Sequence, residues 1–328
     1  MGRRTLTADQ YAEEIQSGNR FVLSQAITLA ESTLAANQNL AQTIISSLLP
    51  YTGNSQRLGI TGVPGVGKST FIDQLGMTVI QEGYRVAVLS VDPSSQRSKG
   101  SILGDKTRMQ QLSQQDSAYI RPSAAGNQLG GVAQQTREAI LLCEAAGYDV
   151  IMVETVGVGQ SETMVRQMTD FFLLLMISGA GDELQGMKRG IMEMADIITI
   201  NKADGGNEKA AQLAQKNYQQ ALHLFPPVSG KPPPEVVTCS ALHNQGLREI
   251  WTQIQEFIAT TKASNYFQQQ RQQQQRNWMY ELINQQLSHN FFQQEHIQKI
   301  LPQTEDEVLQ GEITAREGVK KLLKAYWS

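Results

Sequence analysis

The residues with the plainest chemistry are Gly62-Val63-Pro64-Gly65-Val66-Gly67-Lys68-Ser69, followed by Thr70. Their spacing fits GxxxxGK[ST], a turn whose backbone N–H groups cradle the phosphates of a nucleotide. Glycine accepts the backbone angles such a turn needs, and the helix behind it adds partial positive charge at its N-terminus. In that arrangement residues 62–70 line the phosphates, the Lys68 ammonium reaches the β and γ phosphates, and the Ser69 hydroxyl ligates Mg²⁺. The context agrees: an apolar run at 58–61 precedes the turn and a helical pattern follows it.

A second chemistry lies further along the chain. Asn201-Lys202-Ala203-Asp204 follows the apolar run 197–200, and Ser240-Ala241-Leu242 follows the run 236–239. A carboxylate at Asp204 accepts both N1–H and the exocyclic amine of guanine, whereas adenine presents an unprotonated N1 that repels it. Asn201 can tie the base loops together and bond N7, and the Lys202 stem can cover the ring. Ser240 and Ala241 offer a backbone donor to the guanine O6. Either short motif alone is weak; both after strands and downstream of a phosphate loop, they favour GTP over ATP.

Two carboxylates close further strands. Asp92, before Pro93, ends the run 85–91, and Glu154 ends the run 148–153 with Gly157 three residues on. At the carboxyl edge of a parallel sheet each can reach the magnesium site, directly or through water. The plainer readings are a turn-forming Asp before Pro and an exposed strand-end carboxylate.

These positions require a frame. Apolar runs at 58–62, 85–91, 119–121, 148–153, 171–178, 197–200 and 236–239 read as strands, and helical patterns at 69–81 and 130–145 alternate with them. Strand, helix, strand implies right-handed parallel crossovers and an α/β fold with a mostly parallel central sheet flanked by helices. Before it, residues 7–49 are helical, starting at Leu6, Thr7 and Asp9 and stopped by Pro50 and Gly53; Arg20 in this stretch reads as a surface or packing residue. Residues 179–190 mix glycines with both charge signs and read equally as a mobile segment or a plain connection. From Glu249 onward the pattern is helical and rich in glutamine. The apolar stripe of residues 308–327 suits either an oligomer contact or packing on its own chain.

Composition narrows the classes. The chain of 328 residues carries a formal net charge of -3, which leaves no basic footprint for nucleic acid. Cys143 and Cys239 lie far apart and read as small core residues, and the four histidines keep no ligand spacing. No apolar run reaches the roughly 18 residues that span a bilayer. Leu6 spoils a myristoylation pattern, and Asp9, Glu13 and Glu14 replace an apolar signal region. The expectation is a cytoplasmic protein without a membrane or nucleic-acid partner.

The set GVPGVGKST, VDPSS, SILGDKTRM, ETVGVGQSE, GDELQGMKRGIMEMAD and NKAD resembles the methylmalonyl-CoA mutase-associated GTPases, the MeaB/ArgK family, from about residue 10 to the C-terminal arm. It departs at Ser98-Lys99, where the family usually carries Thr-Gly. The resemblance implies a phosphate-loop GTPase domain over 54–262, an N-terminal helical extension over 1–53 and a helical dimerisation arm over 263–328. It places Asp92, Asp105 and Glu154 with Ser69 around Mg²⁺, and makes 182–188 a segment coupling nucleotide state to a partner. It implies GTP hydrolysis to GDP by a homodimer that chaperones an adenosylcobalamin-dependent acyl-CoA mutase and gates its cobalamin cofactor. Lys68 would act in catalysis, joined by Lys188 as a charge brought in when a partner orders the loops. The rivals are a metallochaperone GTPase for another metalloenzyme, a phosphotransferase acting on a transport protein, and a nucleotide-bound scaffold without turnover.

Overall fold

Seven apolar runs form one sheet in the order β3-β2-β4-β1-β5-β6-β7. The strands are β1 (Gln56–Gly62), β2 (Val86–Val91), β3 (Ala118–Arg121), β4 (Val150–Thr155), β5 (Phe171–Ile177), β6 (Ile197–Asn201) and β7 (Glu235–Thr238). Every neighbouring pair is parallel. The computed structural model describes residues 6–91, 109–122, 129–155, 161–179 and 189–327. Because β1 lies between β4 and β5, with Gly59 opposite both Val153 and Phe172, the chain emerges from β1 in the middle of the carboxyl edge. That is where ligands of parallel sheets bind.

Alternation along the strands fills two cores. Leu58, Ile60, Val86, Val88, Val150, Met152 and Phe171 face one side, where α4 (Lys68–Gln81), α8 (Glu208–Leu222) and α9 (Leu247–Ala263) supply Phe71, Ile72, Tyr218, Trp251 and Ile254. Ala87, Leu89, Ile151, Val153 and Phe172 face the other, against α5 (Leu129–Ala145) and α6 (Ser161–Arg166). Period-two alternation with apolar residues on both faces is what a sheet covered on both sides requires. A short helix, α7 (Arg189–Met194), precedes β6.

The leading helical stretch is three helices: α1 (Ala8–Gln16), α2 (Arg20–Ala30) and α3 (Ala35–Leu48). The breaks are local. Thr7 caps α1 through a reciprocal capping box with Gln10, and Asn19 ends the first connection by accepting from the N–H groups of Phe21 and Val22. Tyr11, Ile15, Leu23, Ile27, Ile44 and Leu48 join the same core as Ile140 and Cys143 of α5. The three helices therefore complete one face of the sheet.

The chain divides into two compact units, Met1–Arg271 and Gln272–Ser328. The first includes the opening turns of α10 (Tyr266–Gln293), which Arg271 fixes in place. Its guanidinium donates to both Asp170 carboxylate oxygens at 2.7 Å, to the Gly53 carbonyl at 2.6 Å and to the Ser55 carbonyl at 2.6 Å. It also lies 4.4 Å from the Phe267 ring centroid. In the second unit α11 (Glu295–Leu309) packs on α12 (Ala315–Tyr326), with Gly318 against Val308 and Thr304 and a Lys321–Glu307 ion pair at 2.7 Å.

Breaking a buried pair strands a desolvated charge, so Arg271→Ala is expected to lower unfolding free energy by about 3 kcal/mol. A urea titration of the full chain should show the midpoint fall with little change in slope.

Candidate functional site

The phosphate loop is shaped by what its neighbours exclude. A Cβ on Gly62 would run into the Leu175 carbonyl of β5, so β1 can end beside β5 only with glycine there. Gly65 and Gly67 have φ of 74° and 93°, the left-handed region, and Gly67 opens α4. Val63 and Val66 are buried and pin the loop to the core, while Pro64, Gly65 and Thr70 face solvent. The Lys68 ammonium lies within the loop, donating to the Gly62 carbonyl at 2.8 Å and the Val63 carbonyl at 3.4 Å. Burial lowers its pKa from the usual lysine value, against the pull of Glu154 and Glu162.

Ser69 and Glu154 meet: the Ser69 hydroxyl donates to Glu154 Oε1 at 3.3 Å. Glu154 is 4% exposed, so the reading of an exposed strand-end carboxylate does not hold; it sits at the end of β4, beside β1. Below it the Thr61 and Thr155 hydroxyls bond at 2.7 Å and lock the two strand ends together. A hydroxyl and a carboxylate at a helix N-terminus are the hard oxygen donors that suit Mg²⁺, which takes few protein ligands when phosphates supply the rest. Asp92, Asp105 and Lys188 lie outside the described residues.

The base loops are joined through Asn201, which is 2% exposed at the end of β6. Its Nδ2 donates to the Val66 carbonyl at 2.8 Å, and its Oδ1 accepts from the Ala241 N–H at 3.0 Å. Lys202 adopts φ 60° and stretches across the phosphate loop to the Gly65 carbonyl, 2.7 Å away. Asp204 accepts from the Ser240 hydroxyl, which in turn accepts from the His243 N–H at 3.2 Å.

One expectation for this loop needs correcting. The Ser240 N–H donates to the Gln245 carbonyl at 3.0 Å, and Gln245 returns the bond, closing a tight turn that carries Asn244 at φ 52°, with Gly246 at φ 80° just past it. Ser240 therefore has no backbone donor for a base carbonyl; its contribution is the hydroxyl on Asp204. The Ala241 N–H is held by Asn201, and Leu242 follows with its side chain 72% exposed.

Three residues for which sequence reasoning offers no chemistry also contact or act on the residues above. Asn207 donates to the Lys202 carbonyl at 2.8 Å and accepts from the Ser178 hydroxyl at 2.8 Å, so it fixes the left-handed residue and ties it to the end of β5. Glu162, 1% exposed at the start of α6, acts on Lys68 through its charge. Cys239 donates to Asn201. The available signals were the place of Glu162 in ETVGVGQSE and of Asn207 just past NKAD.

Asp204 presents acceptors only, which matches guanine and repels adenine. A phosphate loop at the carboxyl edge of a parallel sheet, with Asn201-Lys202-Ala203-Asp204 at the end of β6, is the arrangement of a P-loop GTPase, an enzyme that hydrolyses GTP. The family description "Methylmalonyl Co-A mutase-associated GTPase MeaB" matches residues 23–296, and the chain belongs to that family. Among its relatives, Escherichia coli GTPase ArgK is 45% identical over 316 residues, covering 96% of each chain. The Mus musculus methylmalonic aciduria type A homolog, mitochondrial, is 42% identical over 330 residues, covering 98% of this chain and 80% of its own length. The crystal structure of an LAO/AO transport system kinase superposes with a TM-score of 0.79 at 38% identity, covering all of both chains.

Asp204→Asn replaces two acceptors with one acceptor and a donor. GTP affinity is expected to fall by about 10- to 100-fold, the worth of hydrogen bonds to a charged group, while xanthosine triphosphate, with a carbonyl in place of the amine, gains. Competition binding with the two nucleotides measures both effects.

Proposed function

We propose that this GTPase uses its nucleotide state to gate cofactor loading and retention in an adenosylcobalamin-dependent acyl-CoA mutase. The observation that carries this reading is the match of residues 23–296 to a mutase-associated GTPase family. Ser69 and Glu154, with Asp92 and Asp105, would hold Mg²⁺, which when bound neutralises charge on the β and γ phosphates. Residues 62–70 bind those phosphates through the loop's N–H groups, and Asn201, Lys202 and Asp204 orient the guanine. Lys68 leaves the carbonyls of Gly62 and Val63 for the phosphoryl oxygens, trading dipoles for charge.

Among the described residues, no glutamine in the site is assigned to orient the attacking water. Slow intrinsic turnover, raised when a partner brings Lys188 to the developing charge, follows from that reading. The arm from residue 263 onward would make a homodimer; in its second unit Leu309 and Trp327 are 83% and 76% exposed, apolar surface of the kind an interface covers. No described helix is long and apolar enough to cross a membrane.

A second reading, phosphoryl transfer to a transport protein, is favoured by the similarity to the LAO/AO transport system kinase. Phosphate release separates the two. Free phosphate from GTP, rising at least about tenfold with an adenosylcobalamin-dependent mutase and losing that rise in Lys188→Ala, is the expected result. GTP turnover indifferent to the mutase removes the partner, and radiolabel transferred to protein instead of water favours the kinase.

A further inference from the structure

We infer that Cys239 is a positioning residue for guanine recognition: its thiol holds the Asn201 amide in the orientation that leaves one Nδ2 proton for N7 of the base. The inference rests on the assignment of Asn201 to the base. An asparagine amide has two acceptor positions on oxygen and two N–H donors on nitrogen. On Asn201 the oxygen takes the Ala241 N–H at 3.0 Å and the Cys239 Sγ–H at 3.3 Å, and one nitrogen proton goes to the Val66 carbonyl at 2.8 Å. Three of the four positions are filled, and the fourth is a donor. A flipped amide would set its NH₂ against the Ala241 N–H and its oxygen against the Val66 carbonyl, and would trade the Sγ–H bond for a weaker N–H···S contact.

The thiol is built into this place. Cys239 is 3% exposed, its N–H donates to the Ile200 carbonyl at 2.9 Å, and its carbonyl accepts from the Ala203 N–H at 2.9 Å. The residue is thus clamped between the end of β6 and the loop that carries Asp204. Burial, with the Asp204 charge adding to it, pushes the thiol up to about 12, so at neutral pH it is a protonated donor. Its share grows when nucleotide enters. The Ala241 N–H lies in the loop assigned to the guanine carbonyl; once it turns to the base, Cys239 remains as the donor on Asn201 Oδ1.

The test pairs a protein change with a ligand change. GDP and 7-deaza-GDP, in which a C–H replaces N7, are titrated calorimetrically into the full-length wild type, Cys239→Ala and Cys239→Ser. Wild type is expected to prefer GDP by about tenfold, the worth of one buried hydrogen bond. Cys239→Ala should weaken GDP by about fivefold and leave 7-deaza-GDP within about twofold, while Cys239→Ser, which keeps a donor, restores the preference. Equal weakening of both ligands in Cys239→Ala marks a packing role and overturns the inference, as does no weakening of either. A wild type that treats the two nucleotides alike removes the N7 contact of Asn201 itself, a different failure, and the inference falls with it.

Discussion

The arrangement depends on the contact between Gly62 and the Leu175 carbonyl. Two parallel strands separated by ordinary sheet spacing leave no room for a Cβ where β1 turns away from β5. Glycine allows the turn, and the turn brings the backbone of residues 63–68, whose N–H groups exclude that of Pro64, over the first turn of α4. Several neighbouring side chains are tied to that loop and to the start of α4. Ser69 points at Glu154 across the gap between β1 and β4, Lys202 reaches Gly65, and Asn201 holds Val66. A polyanion is met without waiting for the loop to assemble.

The base side is organised by a different economy. Asn201 and Asp204, at and just past the end of β6, bond to Ala241 and Ser240, which lie beyond a helix and a strand, in two side-by-side pairs. Bonds of this kind are strong when all partners are satisfied and costly when one is lost. Residues behind the loop set its shape as well, such as Asn207, which bonds the Lys202 carbonyl and the Ser178 hydroxyl.

Much of the frame is legible in the sequence because its signals are local. An apolar run before GxxxxGK[ST], alternation along seven short runs and glycines at turns carry the α/β sheet and the loop. The single helical stretch expected over 7–49 is three helices, because Asn19 can cap and Gly18 can adopt φ 83°, features that periodicity averages over. Side-chain bonds between distant loops are harder to read. From Ser240-Ala241 the sequence predicts a backbone donor for the base, whereas the pairing of the Ser240 N–H with Gln245 depends on turn geometry five residues on. Cys239 reads as a small core residue, and it is buried; that its thiol finds Asn201 follows only when β6 and β7 lie side by side.

The Arg271–Asp170 pair has a consequence for where this chain can be cut. The nucleotide-binding unit looks complete at the end of α9, where Ala263 is followed by a break at Asn265 with φ 65°. A shortened protein ending there would keep every residue of the phosphate and base loops, yet it would carry a buried carboxylate with its guanidinium removed and two carbonyls at the entrance to β1 left open. The first turns of the final long helix are thus the closing piece of the catalytic unit. In recombination between relatives, the crossover that respects this unit falls after Arg271.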